Sequence, residues 1–191
     1  MQFIPESWII GDLYVNPRGA KSASIHCESL DHPPQFRFGT PENPIFSPYG
    51  AASWEATTRE TIDFSMTNEL QDFGNRLDLW AKDVLFQNPK LFTNPQTKES
   101  IDQIYQSCIK THEKNGTRFP DTIRCKFNTN GHQKIRFWDA SHNEIKQPEL
   151  KFIKVSALVQ IKGFWFANNS VGLTLQVSDM MCFDTEQKCP F

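Results

Sequence analysis

The most regular alternation of hydrophobic and polar positions in the chain covers residues 150–183. In its first half, one side of the pattern is apolar: Ile153, Val155, Ala157, Val159 and Ile161. In its second half, the apolar positions are Val171, Leu173, Leu175 and Val177. A period of two kept over this length is typical of strands with one buried face. Because Asn168-Asn169-Ser170 between the halves tolerates turn geometry, the pattern predicts a long β-hairpin.

Shorter segments with the same period lie on both sides of a helical region. The first third predicts strands at residues 7–15, 22–29 and 35–39 and another near 61–64, whereas 40–49 contains three prolines and predicts a loop. Later in the chain, IRCKF (123–127) and KIRFW (134–138) each place apolar residues on one face and cations on the other. The turn sequence Asn-Thr-Asn-Gly separates these two segments.

The period changes to that of a helix after residue 67. Apolar side chains recur every three or four positions, at Leu70, Phe73, Leu77, Trp80 and Val84. This spacing predicts an amphipathic helix over residues 68–86, with Thr67 as its N-cap. A second helix is predicted over about residues 98–111, capped by Thr97 and ended by Asn115-Gly116.

Charge is distributed unevenly along the chain, although the formal net charge is only −2. Residues 1–117 carry ten Lys and Arg against fifteen Asp and Glu, whereas residues 118–162 carry nine against four. Positive side chains of the second segment recur on the outward face of three successive predicted strands. This pattern indicates a local anion-binding surface rather than a wholly basic protein.

Cations and aromatic rings on one face of a sheet can bind single-stranded nucleic acid, because cations contact phosphates and flat rings stack on unpaired bases. We expect phosphate contacts from Arg124, Lys126, Lys134, Arg136, Lys154 and Lys162. We expect base stacking on Trp138, Trp165, Phe164, Phe166 and Phe36. Ordinary burial tendencies leave a second interpretation open, in which the run Gly163-Phe164-Trp165-Phe166 belongs to the core and the lysines are a solvated face.

Motifs for catalysis and cofactor binding are absent from the sequence. It contains no Gly-rich phosphate loop, nucleophile elbow, His-x-x-x-His or paired cysteines. An odd number of cysteines without close pairs favours reduced thiols over a disulfide framework or zinc site. No apolar run reaches about eighteen residues, and the first residues lack the features of a secretory signal. We therefore expect an intracellular protein that is not an enzyme, needs no cofactor and spans no membrane.

The order of these segments resembles a known family. A β-rich start, two helices and then IRCKF, KIRFW, VSALVQIKGFWF and VGLTLQV look like the single-stranded-DNA-binding proteins of nucleocytoplasmic large DNA viruses, of the African swine fever virus type. The run GFWF, a short Asn/Ser turn and VGLTL are also similar to phage single-stranded-DNA-binding proteins. The resemblance is strongest over residues 66–183.

The resemblance implies a fold, a function and a location. The fold is a mainly β (α+β) single domain over residues 1–191, an OB-fold-like barrel with a two-helix insertion at about 66–115. The function is coating of single-stranded DNA during viral replication or repair with little sequence specificity, in the host cytoplasm, a viral factory or the nucleus. The mostly acidic first 117 residues depart from a uniformly basic binding protein.

The last residues, 184–191, end in Pro190-Phe191 and resemble the ends of bacterial single-stranded-DNA-binding proteins, which dock on replication partners. The resemblance implies replication proteins as partners, although Lys188 dilutes the two acidic residues of this tail. Two other functions stay open at this point: a structural or assembly protein such as a minor virion component, and an RNA-binding module. A homo-oligomer is compatible with each of them.

Overall fold

The described part of the chain is mainly β-structure with two α-helices, which confirms the predicted fold class. The computed structural model describes residues 7–28, 32–53 and 59–183. The strands before the helices are β1 (Trp8–Val15), β2 (Lys21–Cys27), β3 (Gln35–Phe38), β4 (Ile45–Ser47), β5 (Ala51–Ser53) and β6 (Arg59–Ser65). The strands after the helices are β7 (Tyr105–Gln106), β8 (Ile109–Lys114), β9 (Thr117–Asn128), β10 (Arg136–Trp138), β11 (Glu144–Ile145), β12 (Ile153–Ala167) and β13 (Ser170–Phe183).

Strands β12 and β13 form the long hairpin that the alternation predicts. Their register runs from Lys154 opposite Phe183 to Ala167 opposite Ser170, so Asn168 and Asn169 form a two-residue loop. Asn168 has a φ of 51°, a left-handed conformation that tight hairpin loops require and that Asn tolerates. The apolar positions of the first arm are buried, as the period of two requires.

Strand β12 is the centre of the sheet, because it pairs with four strands along its length. One of its edges pairs with β13, and the other pairs with β4, β3 and β2 in succession. The main strand order is β1-β2-β12-β13-β9-β6-β5, and this path does not close into a ring among the described residues. The predicted OB-like fold is therefore an open sheet rather than a barrel closed by hydrogen bonds.

Helix α1 (Asn68–Gln87) extends one residue beyond the predicted helix. The Thr67 hydroxyl accepts a hydrogen bond from the Leu70 amide at 3.2 Å, which satisfies one of the free N–H groups of the first turn. Phe73 packs against Phe36 and Phe38 of β3, with ring centroids 4.8 and 5.5 Å apart. The apolar stripe of the helix therefore packs against the core side of the sheet.

The second helix is shorter than predicted. α2 (Lys98–Ile104) begins after Thr97 as expected, but residues 105–114 form β7 and β8 instead of continuing the helix. Asn115 and Gly116, interpreted above as a helix stop, are the loop between β8 and β9, with φ values of 53° and 75°. Asn-Gly strongly favours this two-residue turn, and its preference outweighs the helical spacing of the apolar residues before it. The helical part of the predicted insertion therefore ends at Ile104.

Asp78 of α1 accepts hydrogen bonds from the segment that follows the C-terminal end of α2. Its carboxylate accepts hydrogen bonds from the Tyr105 hydroxyl at 2.7 Å, from the Ser107 hydroxyl and from the Cys108 amide at 3.4 Å. Burial, together with the charge of Asp78, raises the pKa of Tyr105, so the phenol keeps its proton as a donor. The chain after α2 is thus tied to α1 by one carboxylate.

Candidate nucleic-acid interface

The sheet around the central hairpin has one face toward the core and one face away from it. Along β3, β6, β9, β10, β12 and β13, side chains of the second face alternate with buried ones. We call this surface the outer face. Its members are Gln35, Arg37, Thr61, Asp63, Arg124, Lys126, Arg136, Trp138, Lys154, Leu158, Gln160, Trp165, Gln176 and Asp179.

A polar row crosses the middle of the outer face. Gln35, Gln160, Gln176, Lys126 and Thr61 occupy matching register positions on β3, β12, β13, β9 and β6. A glutamine amide both donates and accepts hydrogen bonds, and the charged member of the row, Lys126, is exposed. The row can therefore contact hydrogen-bonding groups and phosphates alike.

Arg136 and Trp138 are joined to one carboxylate. Asp179 Oδ1 lies 2.7 Å from Arg136 Nη2 and accepts a hydrogen bond from Trp138 Nε1 at 3.2 Å. The Arg136 guanidinium also lies 5.4 Å from the centroid of the Trp138 ring, within the range of a cation–π interaction. The half-buried indole is therefore fixed in place, while the Arg136 side chain remains 57% exposed.

Arg124 is bound by the second carboxylate of the outer face. Its Nε and Nη2 atoms donate to the two oxygens of Asp63 at 2.8 and 2.7 Å, a bidentate pair. Asp63 is buried, and its hydrogen bonds raise the pKa of Arg124. The guanidinium therefore stays charged and is held with 44% of its side chain exposed.

The outer face has a net positive charge. Its two acidic side chains, Asp63 and Asp179, are each paired with an arginine of the same face. The cations that remain beyond these two pairs are Arg37, Lys126 and Lys154, and all three are exposed. The predicted cations of β9, β10 and β12 thus share one surface whose negative charges are locally balanced.

The remaining predicted cations lie at less regular positions. Lys134 is exposed in the turn before β10, where its amide donates to the Gly131 carbonyl at 3.2 Å. Lys162 lies between the register pairs Ile161–Leu175 and Gly163–Thr174, so it is the extra residue of a β-bulge. Partial burial lowers the pKa of Lys162.

Trp165 is the aromatic residue of the GFWF run that lies on the outer face. It is opposite Gly172 of β13 and Ser22 of β2. Its Nε1 donates to the Leu173 carbonyl at 3.2 Å, and a Cβ added at Gly172 would lie 2.8 Å from the indole. The indole therefore packs directly on the Gly172 backbone and is half-buried, which fixes a flat ring at the surface.

The structure places the other predicted stacking residues in or against the core. Phe164 is 1% exposed and stacks on Trp80 of α1, with ring centroids 6.2 Å apart. Phe36 is 8% exposed and packs on Phe73. Phe166 is half-buried against Phe92, with centroids 5.7 Å apart. We remove these three phenylalanines from the outer face, because no base can reach Phe164 or Phe36 and Phe166 points to the inner side.

Sequence reasoning missed a second aromatic cluster, at the opposite end of the hairpin from Trp165. Lys154 lies opposite Phe46 of β4 on one side and Phe183 of β13 on the other. The ring of Phe46 stacks with that of Phe152, with centroids 6.3 Å apart and an interplanar angle of 22°. Phe152 is 46% exposed, and Lys151 Nζ lies 5.0 Å from its ring centroid. We call Phe46, Phe152 and Phe183, with Lys151 and Lys154, the phenylalanine platform.

Other kinds of site have little support in the described part of the chain. It contains no group of three or more His, Cys, Asp or Glu residues placed to hold a metal ion. Burial raises the pKa of the Cys108 and Cys125 thiols, which makes them poor nucleophiles. No helix in residues 7–28, 32–53 or 59–183 has the length and apolar character needed to cross a membrane. Pro190 and Phe191 of the predicted partner motif lie outside the described residues.

Comparisons with known proteins find similarity in fold and none in sequence. No protein-family model matches the chain, and no curated protein matches it. The structure is similar to gp2.5, a single-stranded DNA-binding protein encoded by bacteriophage T7, with a TM-score of 0.51 and 12% identity over 80% of this chain and 87% of that chain. It is also similar to a C-terminally truncated single-stranded DNA-binding protein from bacteriophage Enc34, with a TM-score of 0.51 and 9% identity over 96% of this chain and 99% of that chain. The chain therefore shares its fold with these two phage proteins.

Proposed function

We propose that the protein binds single-stranded DNA along the outer face, with little sequence preference and without catalysis. The observation that carries this proposal is the combination of fixed aromatic rings and exposed cations on a face whose two carboxylates are both paired with arginines. Cations attract the phosphates, while the rings stack on bases of any sequence because every base has a π-face. Two proteins of the same fold are described as single-stranded-DNA-binding proteins, which supports the same ligand here.

The single-stranded DNA would run along the central hairpin from Trp165 to the phenylalanine platform. Positions 154–165 of β12 span roughly 35 Å at the usual rise of a strand. Between these ends lies the polar row, which includes Lys126. Its side chains can contact the phosphates of the DNA without reading base identity. A site of this length fits the ~4–16 nucleotides covered by one OB fold.

Binding to oligonucleotides tests this proposal. We expect oligo(dT) to bind more tightly than duplex DNA of equal length, because stacking requires exposed base faces. If about three to five phosphates are neutralised, a plot of log K against log salt concentration should have a slope of roughly −2 to −4. Equal affinity for duplex, or no response to salt, would contradict the proposal, and tighter binding of oligo(U) than of oligo(dT) would favour the RNA-binding alternative.

We further propose that the protein acts in viral DNA replication or repair and contacts replication proteins through Pro190-Phe191. The ring of Phe191 can be bound by an apolar pocket, and the nearby carboxylates of Asp184 and Glu186 by basic side chains. Deletion of both residues should leave the affinity for oligo(dT) unchanged or slightly raised while abolishing capture of a replication protein from native-host lysate. Identical sets of captured proteins from the full-length and shortened chains would refute this part of the proposal.

A further inference from the structure

A cleft at the tip of the central hairpin is separate from the outer face. It forms where the loop between β12 and β13 meets the turn between β1 and β2 and the segment that precedes α2. Its volume is about 740 Å³, within the range of sites for small organic ligands. The side chains that define its chemistry are Arg18, Lys21, Phe92, Asn94, Phe166 and Asn168.

The charge of the cleft is positive. Arg18 and Lys21 line it, no acidic residue is among the described residues around it, and neither cation has an ion pair in the described part of the chain. Asn16 Oδ1 accepts hydrogen bonds from the amides of Arg18 and Ala20, both at 2.9 Å, which fixes the turn that carries Arg18. Residues 1–117 are acidic overall, so these two cations make the cleft locally positive. A ligand that matches this charge is an anion.

The cleft also presents aromatic rings and amides. The rings of Phe92 and Phe166 meet edge to face, at 5.7 Å and 84°, and both side chains are half-buried, so part of each ring is accessible. Asn94 and Asn168 are exposed beside them and offer donors and acceptors in the same cleft. An anionic ligand with a flat ring and polar ring edges fits this combination, and a nucleotide has all three features.

The cleft lies on the other side of the hairpin tip from the end of the outer face, because successive side chains of a strand point to opposite sides of the sheet. Trp165 lies opposite Ser22, and the next pair along the same two strands is Phe166 opposite Lys21. Consecutive aromatic residues of β12 therefore belong to the outer face and to the cleft. Resting on the proposed function, we infer that the cleft binds a nucleotide of the single strand where the strand passes over the hairpin tip. Arg18 and Lys21 contact its phosphates, and the base packs against Phe92 and Phe166.

Three double variants, each removing two positive charges, test this inference. R18Q/K21Q alters the cleft, K126Q/K154Q alters the outer face, and K114Q/K146Q is a control at exposed positions of neither site. Fluorescence anisotropy would measure the affinity of each for oligo(dT) of 6, 8, 12, 16 and 24 nucleotides over a range of salt concentrations. Thermal melting monitored by circular dichroism would establish that all three are folded.

The cleft should matter only for strands long enough to reach it. We expect R18Q/K21Q to bind the longest oligonucleotides about tenfold more weakly and the shortest ones as the control does. Its salt slope for long strands should be smaller by about 1.4, the value for two single-strand phosphate contacts. An oligonucleotide with a terminal 5-iododeoxyuridine should also photo-crosslink to Phe92 or Phe166, as peptide mass spectrometry would show.

The outcomes separate the cleft from the outer face. If R18Q/K21Q matches the control at every length, or weakens all lengths equally, the inference about the cleft is wrong. In either case, the proposed function survives as long as K126Q/K154Q weakens binding at all lengths. If K126Q/K154Q has no effect, or if the unaltered protein binds no oligonucleotide, the proposed function itself is wrong. The inference about the cleft, which rests on that function, is then also wrong.

Discussion

The two halves of β12 follow the same alternation in opposite phase. From Ile153 to Ile161, the odd-numbered side chains point into the core. After the bulge at Lys162, the even-numbered Phe164 is buried and the odd-numbered Trp165 lies on the outer face. One extra residue therefore decides which aromatic side chain stabilises the core and which one is available to a ligand. Composition alone cannot make that distinction in a run of three aromatic residues.

Gly163 allows the change of phase. Its φ is 144°, a conformation that strongly favours glycine, and an added Cβ would lie 2.1 Å from the Ala23 carbonyl oxygen. The close approach of β2 to β12 and the bulge at Lys162 thus depend on the absence of a side chain at this position, as is common where strands bulge.

Replacing Gly163 should have the largest effect, because it destroys the second half of β12. Gly163→Ala should lower the free energy of unfolding by about 4 kcal/mol or more, from backbone strain and from the clash with β2. Urea denaturation would measure this change. Gly19→Ala is the matched control, since Gly19 also has a positive φ, of 80°, but no atom within 4 Å of an added Cβ. Equal losses in both variants would show that the contact with Ala23 is unimportant.

Two neighbouring substitutions separate the core from the surface within the GFWF run. Phe164→Ala should cost about 3–4 kcal/mol of stability, because it leaves a cavity beside Trp80, while the folded fraction keeps its affinity for oligo(dT). Trp165→Ala should instead weaken binding by about 1–3 kcal/mol, the value of one lost stack, and leave the protein folded. Denaturation and anisotropy on the same samples give both numbers. A loss of stability without a specific loss of binding in Trp165→Ala would assign the indole to the core.

The phenylalanine platform should contribute less than Trp165 to the affinity for oligo(dT). A substitution at Phe152 tests this with little effect on stability. Phe152 has a φ of 58°, a left-handed conformation that is strained for a bulky residue such as phenylalanine. Phe152→Gly should therefore change the free energy of unfolding by less than about 1 kcal/mol, because relief of strain offsets the lost ring contact. It should weaken oligo(dT) binding by about 1–2 kcal/mol. Unchanged affinity would exclude the platform from the path of the strand.

The smallest effect is expected at the bulge itself. Burial lowers the pKa of Lys162, so its charged form slightly destabilises the folded state. Lys162→Met should raise the free energy of unfolding by a few tenths of a kcal/mol at pH 7, a value kept small by the solvent that still reaches the side chain. The penalty is complete only while the lysine is protonated in both states, so the gain should fade as the pH rises through the lowered pKa of the folded state and vanish above 10.5, the ordinary pKa of lysine.

The same variant tests whether Lys162 contacts a phosphate. If it does, Lys162→Met should reduce the salt slope of oligo(dT) binding by about 0.7. An unchanged slope would remove Lys162 from the predicted phosphate contacts and leave Lys126 and Lys154 as the lysines of the outer face.

Patterns that depend on one strand or helix could be predicted from the sequence. Local period and turn chemistry are enough to predict the hairpin of β12 and β13, helix α1 with its cap Thr67, and the alternation of IRCKF. Where two local signals compete, the outcome depends on tertiary contacts. Residues 105–114 have helical spacing, but the turn at Asn115-Gly116 and the hydrogen bonds to Asp78 favour strands.

The composition of the outer face was only partly predictable for the same reason. Lys126, Arg136, Trp138 and Lys154 alternate regularly within predicted strands, and the structure brings them onto one surface. The phenylalanine platform has no such signal, because Phe152 lies outside the strands and β4, which carries Phe46, lies within a proline-rich segment. Phe46 and Phe152 come into contact because β4 pairs with β12, which joins distant parts of the chain.

The position of β12 in the chain has a consequence for the order of folding during synthesis. Its partners β2, β3 and β4 are made first, and a hydrogen bond such as that from the Ser156 hydroxyl to the Gly39 carbonyl joins residues 117 positions apart. At about 5–20 residues per second, a ribosome needs roughly 6–23 seconds to cover that interval. During this time the early strands have open edges and no central partner, and contacts of such long range also form slowly once they are available. The nascent chain is therefore most exposed to aggregation and proteases before residues 153–167 emerge.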